Sequence, residues 1–167
     1  MNWKTFSGSS KYYRLAIIAG LVVLVDQVSK AIILSRVPLH HSVPVIPGFF
    51  DITLILNPGG AFGFMAGQHS SLHHIFFLGF TSMAICFIAF MYRKIPQTHT
   101  LLATGFALIL GGAVGNLMDR VRFERVVDFL DFYLGSYHWP AFNVADSAIS
   151  VGMAIFIYHI VFNKMPE

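Results

Sequence analysis

Two aspartates carry the sharpest chemical signal in this 167-residue sequence. Asp128 lies in Val126-Val127-Asp128-Phe129-Leu130, and Asp146 ends Asn143-Val144-Ala145-Asp146. Both have apolar flanks, so neither belongs to a solvated run of charge. A carboxylate in a low-dielectric setting holds its proton more tightly. Two such groups close together split further, one ionised and one protonated. The ionised member can take a proton from water, while the protonated member hydrogen-bonds to a peptide carbonyl. Such a pair suits peptide hydrolysis without a metal. Each aspartate also suits a plain structural contact, Asp146 by capping or stabilising a helix start.

Other polar residues gather near these two. Asp26-Gln27-Val28-Ser29-Lys30 interrupts one apolar stretch, and Asn116, Asp119 and Arg120 end another. Asn143 and Asp146 open a third. Charges at membrane depth are costly and usually face a bundle interior, where they mark function. Asn116 and Arg120 share a helical face. The Arg120 fork suits carboxylates or backbone carbonyls, or else an ion pair with Asp119 or Asp26. Asp26 and Lys30, also four apart, can satisfy one another. Asn57-Pro58-Gly59-Gly60 is a turn signal. Ala103, Ala107, Gly111 and Gly115 form a small-residue stripe that lets another helix come close, and Gly111-Gly112 could admit a substrate backbone. The eight histidines include the pair His69 and His73, but no His-Glu-x-x-His occurs and Cys86 has no second cysteine, so no metal site is expected. Gly-x-Ser-x-Gly and Walker patterns are absent.

The elements that must hold these residues follow from composition. Hydrophobic residues make up 56% of the chain and charged ones only 11%, with a mean hydropathy of +0.67. A soluble domain carries about 25% charged residues, so a protein with several membrane spans is the reading. Lysines and arginines are scattered, which argues against nucleic-acid binding. Four windows are long and apolar enough to span: Leu15 to Leu34, Leu72 to Tyr92, Leu101 to Met118 and Val144 to Phe162. The first could be a signal peptide, but Asp26 and Lys30 stand where cleavage would fall, so it reads as a retained span. Six Lys and Arg lie on the side of the termini and five on the other, which points to cytoplasmic termini. Asp26, Asn116, Asp128, Asn143 and Asp146 then converge at the outer boundary. Between spans, Phe50 to Leu54 alternates like a short strand of a small external sheet. The aromatic-rich segment Val121 to Phe142 is expected to lie in the interface and cover a site between helices. The expected architecture is an integral membrane protein, mainly α. It has four transmembrane helices and a small extracytoplasmic β-sheet in one domain over residues 1–167.

Five blocks, in order, resemble the lipoprotein signal peptidases (signal peptidase II) of bacteria. They are Asp26-Gln27-Val28-Ser29-Lys30, Asn57-Pro58-Gly59-Gly60-Ala61-Phe62-Gly63, Gly111 to Arg120, Val126-Val127-Asp128-Phe129 and Phe142-Asn143-Val144-Ala145-Asp146. Gly60 stands where the family often has Ala. The resemblance implies an aspartic endopeptidase of the bacterial cytoplasmic membrane, with four helices, a small sheet and an interfacial helix on the outer side. It would cut prolipoproteins before the diacylglyceryl-modified cysteine, with Asp128 and Asp146 as the catalytic pair. Asp26, Asn57, Gly112, Asn116, Arg120 and Asn143 would position substrate or brace the site. The resemblance implies no cofactor or metal and inhibition by globomycin-type cyclic peptides. A monomer in contact with membrane lipid is expected. Two other readings stay open from the residues alone. One is a small proton-coupled carrier using Asp26, Asp146 and Arg120. The other is a non-catalytic lipid- or lipoprotein-binding membrane factor.

Overall fold

The computed structural model describes residues 7–59 and 71–166. They form α1 (Ser7–Arg36), β1 (Ser42–Ile46), β2 (Phe50–Asn57), α2 (Ser71–Lys94), α3 (Thr100–Phe123), β3 (Val126–Leu134), β4 (Tyr137–His138) and α4 (Val144–Val161). All four helices are long and apolar enough to cross a membrane. Prolines set several ends. Pro38 follows soon after α1 and Pro96 soon after α2, where the ring stops a helix from continuing.

Helix α3 is the axis of the bundle. Most of it is buried, whereas α1 and α2 turn most of their surface outward. It packs against α4, α1 and α2 in turn. Its small residues explain how. A side chain at Gly111 would meet Ala19 and Val22 of α1, and one at Gly115 would meet Asp26. The two glycines of the expected small-residue stripe thus lie at the seam with α1. Gly105 and Gly112 form a second seam, a heptad apart, against Gly152, Ile155, Ala145 and Ile149 of α4. Close backbone approach of this kind drives helix association where water cannot.

The two ends of the bundle differ in character. Near the start of α1, Lys11 is buried and its ammonium donates to the carbonyls of Arg93 (3.1 Å) and Ile95 (2.6 Å), closing the end of α2. The Tyr92 hydroxyl donates back to the Lys11 carbonyl at 2.7 Å, above an apolar cluster of Tyr92, Ile95, Leu102, Ala103 and Phe106. The opposite end carries an antiparallel sheet in the order β1-β2-β3-β4, with Val37, Leu54 and Val127 as its core.

The segment 121–142, expected to lie in the interface and cover a site, completes α3 and then forms the strands β3 and β4; the described residues contain no helix beyond the four. Period-two alternation explains the preference: Val127 and Phe129 are buried on one face, while Val126 and Asp128 face a cavity on the other. The strand predicted over Phe50 to Leu54 continues to Asn57. Residues 60–70, which include the second half of the Asn57 block and His69, lie outside the described residues.

Candidate active site

A cavity of about 790 Å³ opens between the sheet and the sheet-side ends of α3 and α4. Asp128 and Asp146 both line it, as do Asn57, Asn116 and Arg120. Residues from β2, α3, β3 and α4 thus meet at one place, as the convergence in the sequence predicts.

Local rules put each side chain there. At the end of α3, Glu124 takes a left-handed conformation (φ 59°), and its N–H bonds to the Arg120 carbonyl at 3.0 Å. The chain reverses into β3, whose register sets Asn57 opposite Val126 and Ile55 opposite Asp128. Residues after β4 return along β3. Phe142 accepts from Phe129 (3.0 Å) and Leu130 (2.8 Å) and donates to Leu130 (3.1 Å). That return places Asn143 beside Asp128 just as α4 begins.

Asn143 is fully enclosed and ties the two carboxylates together. Its amide donates to Asp128 Oδ1 at 2.7 Å, to the Val127 carbonyl and to Asn116 Oδ1, both at 3.2 Å. Its Oδ1 accepts from the Asp146 N–H at 2.9 Å, while Asp146 Oδ2 accepts from the Asn143 N–H at 3.2 Å. This reciprocal capping box starts α4. The capping role anticipated for Asp146 is therefore real, yet it uses one oxygen only. Asp146 Oδ1 accepts from Asn116 Nδ2 at 2.7 Å. The N-terminal end of α4 also favours negative charge at this position.

Asp128 is held by two amides. Asn57 Nδ2 donates to its Oδ2 at 3.0 Å, while Asn57 Oδ1 accepts from the Gly59 N–H at 2.9 Å. Asn57 thus makes a turn contact through one end of its amide and the contact with Asp128 through the other. Burial raises the Asp128 carboxyl to about 7, and the neighbouring Asp146 charge pushes the same way; the two asparagines and Lys30 oppose this. Asp128 therefore titrates near neutrality.

Asp26 and Gly112 stand elsewhere. Asp26 is 0% exposed behind the cavity, with Oδ2 2.9 Å from the Lys30 ammonium and Oδ1 accepting the Ala145 N–H at 3.0 Å. It braces the start of α4 from α1. Gly112 faces Ala145 and Ile149, so the backbone it admits is that of α4. Arg120 does not form the ion pair considered for it. Lys30 occupies both candidate partners, bonding Asp119 at 2.7 Å as well as Asp26. Arg120 instead donates to the Asn116 carbonyl at 3.1 Å, lies 5.8 Å from the Phe77 ring centre and faces the cavity. A guanidinium so placed retains N–H donors for a carbonyl or an anion.

Sequence reasoning missed the cavity walls. Ser147, Ile149, Ser150 and Val151 line it from α4, and Trp139 to Phe142 line it from the return segment. The only available signal was the spacing of Ser147 and Ser150 along one side of an apolar helix. It also gave Asp119 no role beyond a possible partner for Arg120. That carboxylate accepts from Gln27 (2.9 Å) and from the Val127 N–H (3.1 Å), fixing the start of β3.

Known proteins resemble this chain in sequence and fold. The sequence profile of the signal peptidase (SPase) II family matches residues 18–162. The chain is 53% identical to a lipoprotein signal peptidase of Desulforapulum autotrophicum, covering 92% of this chain and 95% of that one. It is 48% identical to the lipoprotein signal peptidase of Syntrophus aciditrophicus, over 87% and 90% of the two chains. Its fold matches a bacterial membrane enzyme solved by the in meso method at 2.3 Å, with a TM-score of 0.80 and 33% identity over 90% of this chain and 88% of that one.

Proposed function

The chain belongs to the signal peptidase II family and removes signal peptides from prolipoproteins in a bacterial membrane, and we propose that it does so as an aspartic endopeptidase with Asp128 and Asp146 as its catalytic pair. The carrying observation is that the two carboxylates line one cavity and both bond to Asn143, Asp128 Oδ1 accepting from its side-chain amide and Asp146 Oδ2 from its backbone N–H.

The chemistry follows from their surroundings. Asp146, with both oxygens accepting N–H donors, is the base. It takes a proton from a water whose oxygen attacks the scissile carbonyl carbon. Asp128, raised to about 7, enters protonated and gives its proton to the carbonyl oxygen, forming a neutral gem-diol. When the C–N bond breaks, a proton from Asp146 passes to the leaving nitrogen and Asp128 recovers one from the diol. Water is consumed, and each carboxyl ends as it began. Arg120, Asn57 and Asn116 orient the substrate backbone at the cavity wall, while Asp26, Gly112 and Asn143 brace the site.

The cut falls before a diacylglyceryl-modified cysteine. Acyl chains hold such a substrate at the membrane boundary, which raises its local concentration and orients the scissile bond. The site faces the extracytoplasmic side, with both termini cytoplasmic. The protein acts as a monomeric single domain, inhibited by globomycin-type cyclic peptides. No specific observation favours a carrier or a non-catalytic binding factor.

Mass spectrometry of purified protein with a diacylglyceryl-modified precursor tests this reading. The expected product begins at the lipidated cysteine, the unlipidated precursor stays intact, and Asp128→Asn and Asp146→Asn abolish the product. Full activity in either variant would end the proposal for the pair. Equal cleavage of unlipidated precursor would end the proposal for lipid recognition.

A further inference from the structure

Lys30 lies on α1 and is only 2% exposed, one helix away from the cavity. Its ammonium has three hydrogens and no acceptor. It also has three acceptors within reach: Asp119 Oδ2 at 2.7 Å, Asp26 Oδ2 at 2.9 Å and Asn116 Oδ1 at 3.1 Å. The tripod is fully used, so the ammonium has no freedom to turn away from any of the three. The first two contacts balance charge. The third does something different, because Asn116 is the residue whose Nδ2 meets Asp146 Oδ1 at 2.7 Å.

We propose that Lys30 is a positioning residue for cleavage, fixing through Asn116 which end of that amide faces Asp146. The proposal rests on Asp146 acting in the reaction. An asparagine amide is nearly symmetrical in shape but opposite in polarity at its two ends. With the oxygen turned toward Lys30, the amino group must point at Asp146. The reversed amide would set N–H groups against an ammonium and an oxygen against the carboxylate. A carboxyl facing an amide oxygen must itself supply the proton, and a protonated Asp146 takes none from water. Asn143 Nδ2 also donates to Asn116 Oδ1, but at 3.2 Å and while shared with Val127 and Asp128. The buried cation is the undivided part of the lock, since charge-assisted hydrogen bonds are about twice as strong as neutral ones.

Lys30→Met alone would strand two buried carboxylates, so the test uses Lys30→Met together with Asp119→Asn, which leaves the net charge of the cluster unchanged. In detergent with a diacylglyceryl-modified precursor, at a temperature below its lowered thermal midpoint, this pair is expected to keep its KM while kcat falls up to about 100-fold. Asp119→Asn alone keeps the lysine, and its amide oxygen still accepts the Val127 N–H, so its kcat is expected to match the parent. Adding Asn116→Ala to the pair is expected to lower kcat by less than Asn116→Ala does in the parent, because the lysine acts through that amide. Three results would each overturn the proposal: a pair with parental kcat, an equal loss from Asp119→Asn alone, or an additive loss with Asn116→Ala. Full activity in Asp146→Asn would instead overturn the catalytic reading beneath it.

Discussion

Four aspartates crowd the sheet end of the bundle as two pairs with opposite surroundings. Asp26 and Asp119 share the Lys30 ammonium, are at most 1% exposed and hold α1, α3, β3 and α4 together. Asp128 and Asp146 touch no cation within ion-pair distance among the described residues; amides of Asn57, Asn116 and Asn143 hold them at a cavity wall. The difference teaches how a low-dielectric site divides labour. A cation between two carboxylates balances their charge and fixes them as a joint, whereas neutral amides hold a carboxylate in place without balancing it. Burial and the neighbouring Asp146 then raise the Asp128 carboxyl to about 7.

The sharpest way to separate the pairs is to replace carboxylates by amides in each. Asp128→Asn and Asp146→Asn are expected to cut kcat by about 10³-fold without a collapse of thermal stability in detergent. A matching collapse of stability would place these residues in the brace. Removing the cation should do the reverse. Lys30→Met leaves a buried, uncompensated carboxylate pair and is expected to cost about 3–5 kcal/mol of stability, read from thermal or denaturant unfolding.

Proton linkage sharpens the contrast further. Asp128 sits near 7 when folded and near the ordinary carboxylate value of about 3.9 when unfolded. The folded state therefore binds this proton more tightly, and the contribution is full below about pH 4 and lost as pH rises through about 7. Unfolding followed from pH 4 to 8 should show parental stability falling relative to Asp128→Asn across that window. A constant difference would remove the case for a proton held on Asp128. Activity that depends on the same proton should fall as pH rises past about 7.

The smallest expected effects come from one methyl group placed beside each pair. Gly115→Ala presses on the Asp26 carboxylate, and Gly112→Ala presses on Ala145 and Ile149 of α4. Each should cost about 1–3 kcal/mol. With lipidated precursor, Gly112→Ala should also lower kcat, because α4 carries Asp146, while Gly115→Ala should act mainly on stability.

Much of this was written along the chain. The four spans follow from runs of about 20 apolar residues, which a membrane requires. The end of the bundle that holds the site follows from where the polar residues fall within those runs. Asn143 and Asp146 stand three apart, as a capping box requires, and that spacing is visible before any folding. The strand character of 126–134 was also present as alternation. The density of aromatics in the surrounding segment masked it, because side chains suited to an interface are equally suited to a sheet face. Phe132 stacks on Phe50 at 4.5 Å, a contact between residues far apart in sequence.

Partner choice was settled only in three dimensions. Arg120 was the partner expected for Asp119 or Asp26, but where α1 and α3 approach closely at Gly111 and Gly115, Lys30 takes both carboxylates. Gly112 and Asp26 belong to helix contacts for the same reason, since closeness depends on which faces of α1, α3 and α4 meet. The sequence by itself determined which residues could not remain in lipid without company, because burying an unpaired polar group is costly everywhere. Only the tertiary structure decided which company each would keep, because hydrogen bonds and ion pairs act over about 3 Å and the chain order carries no such distance.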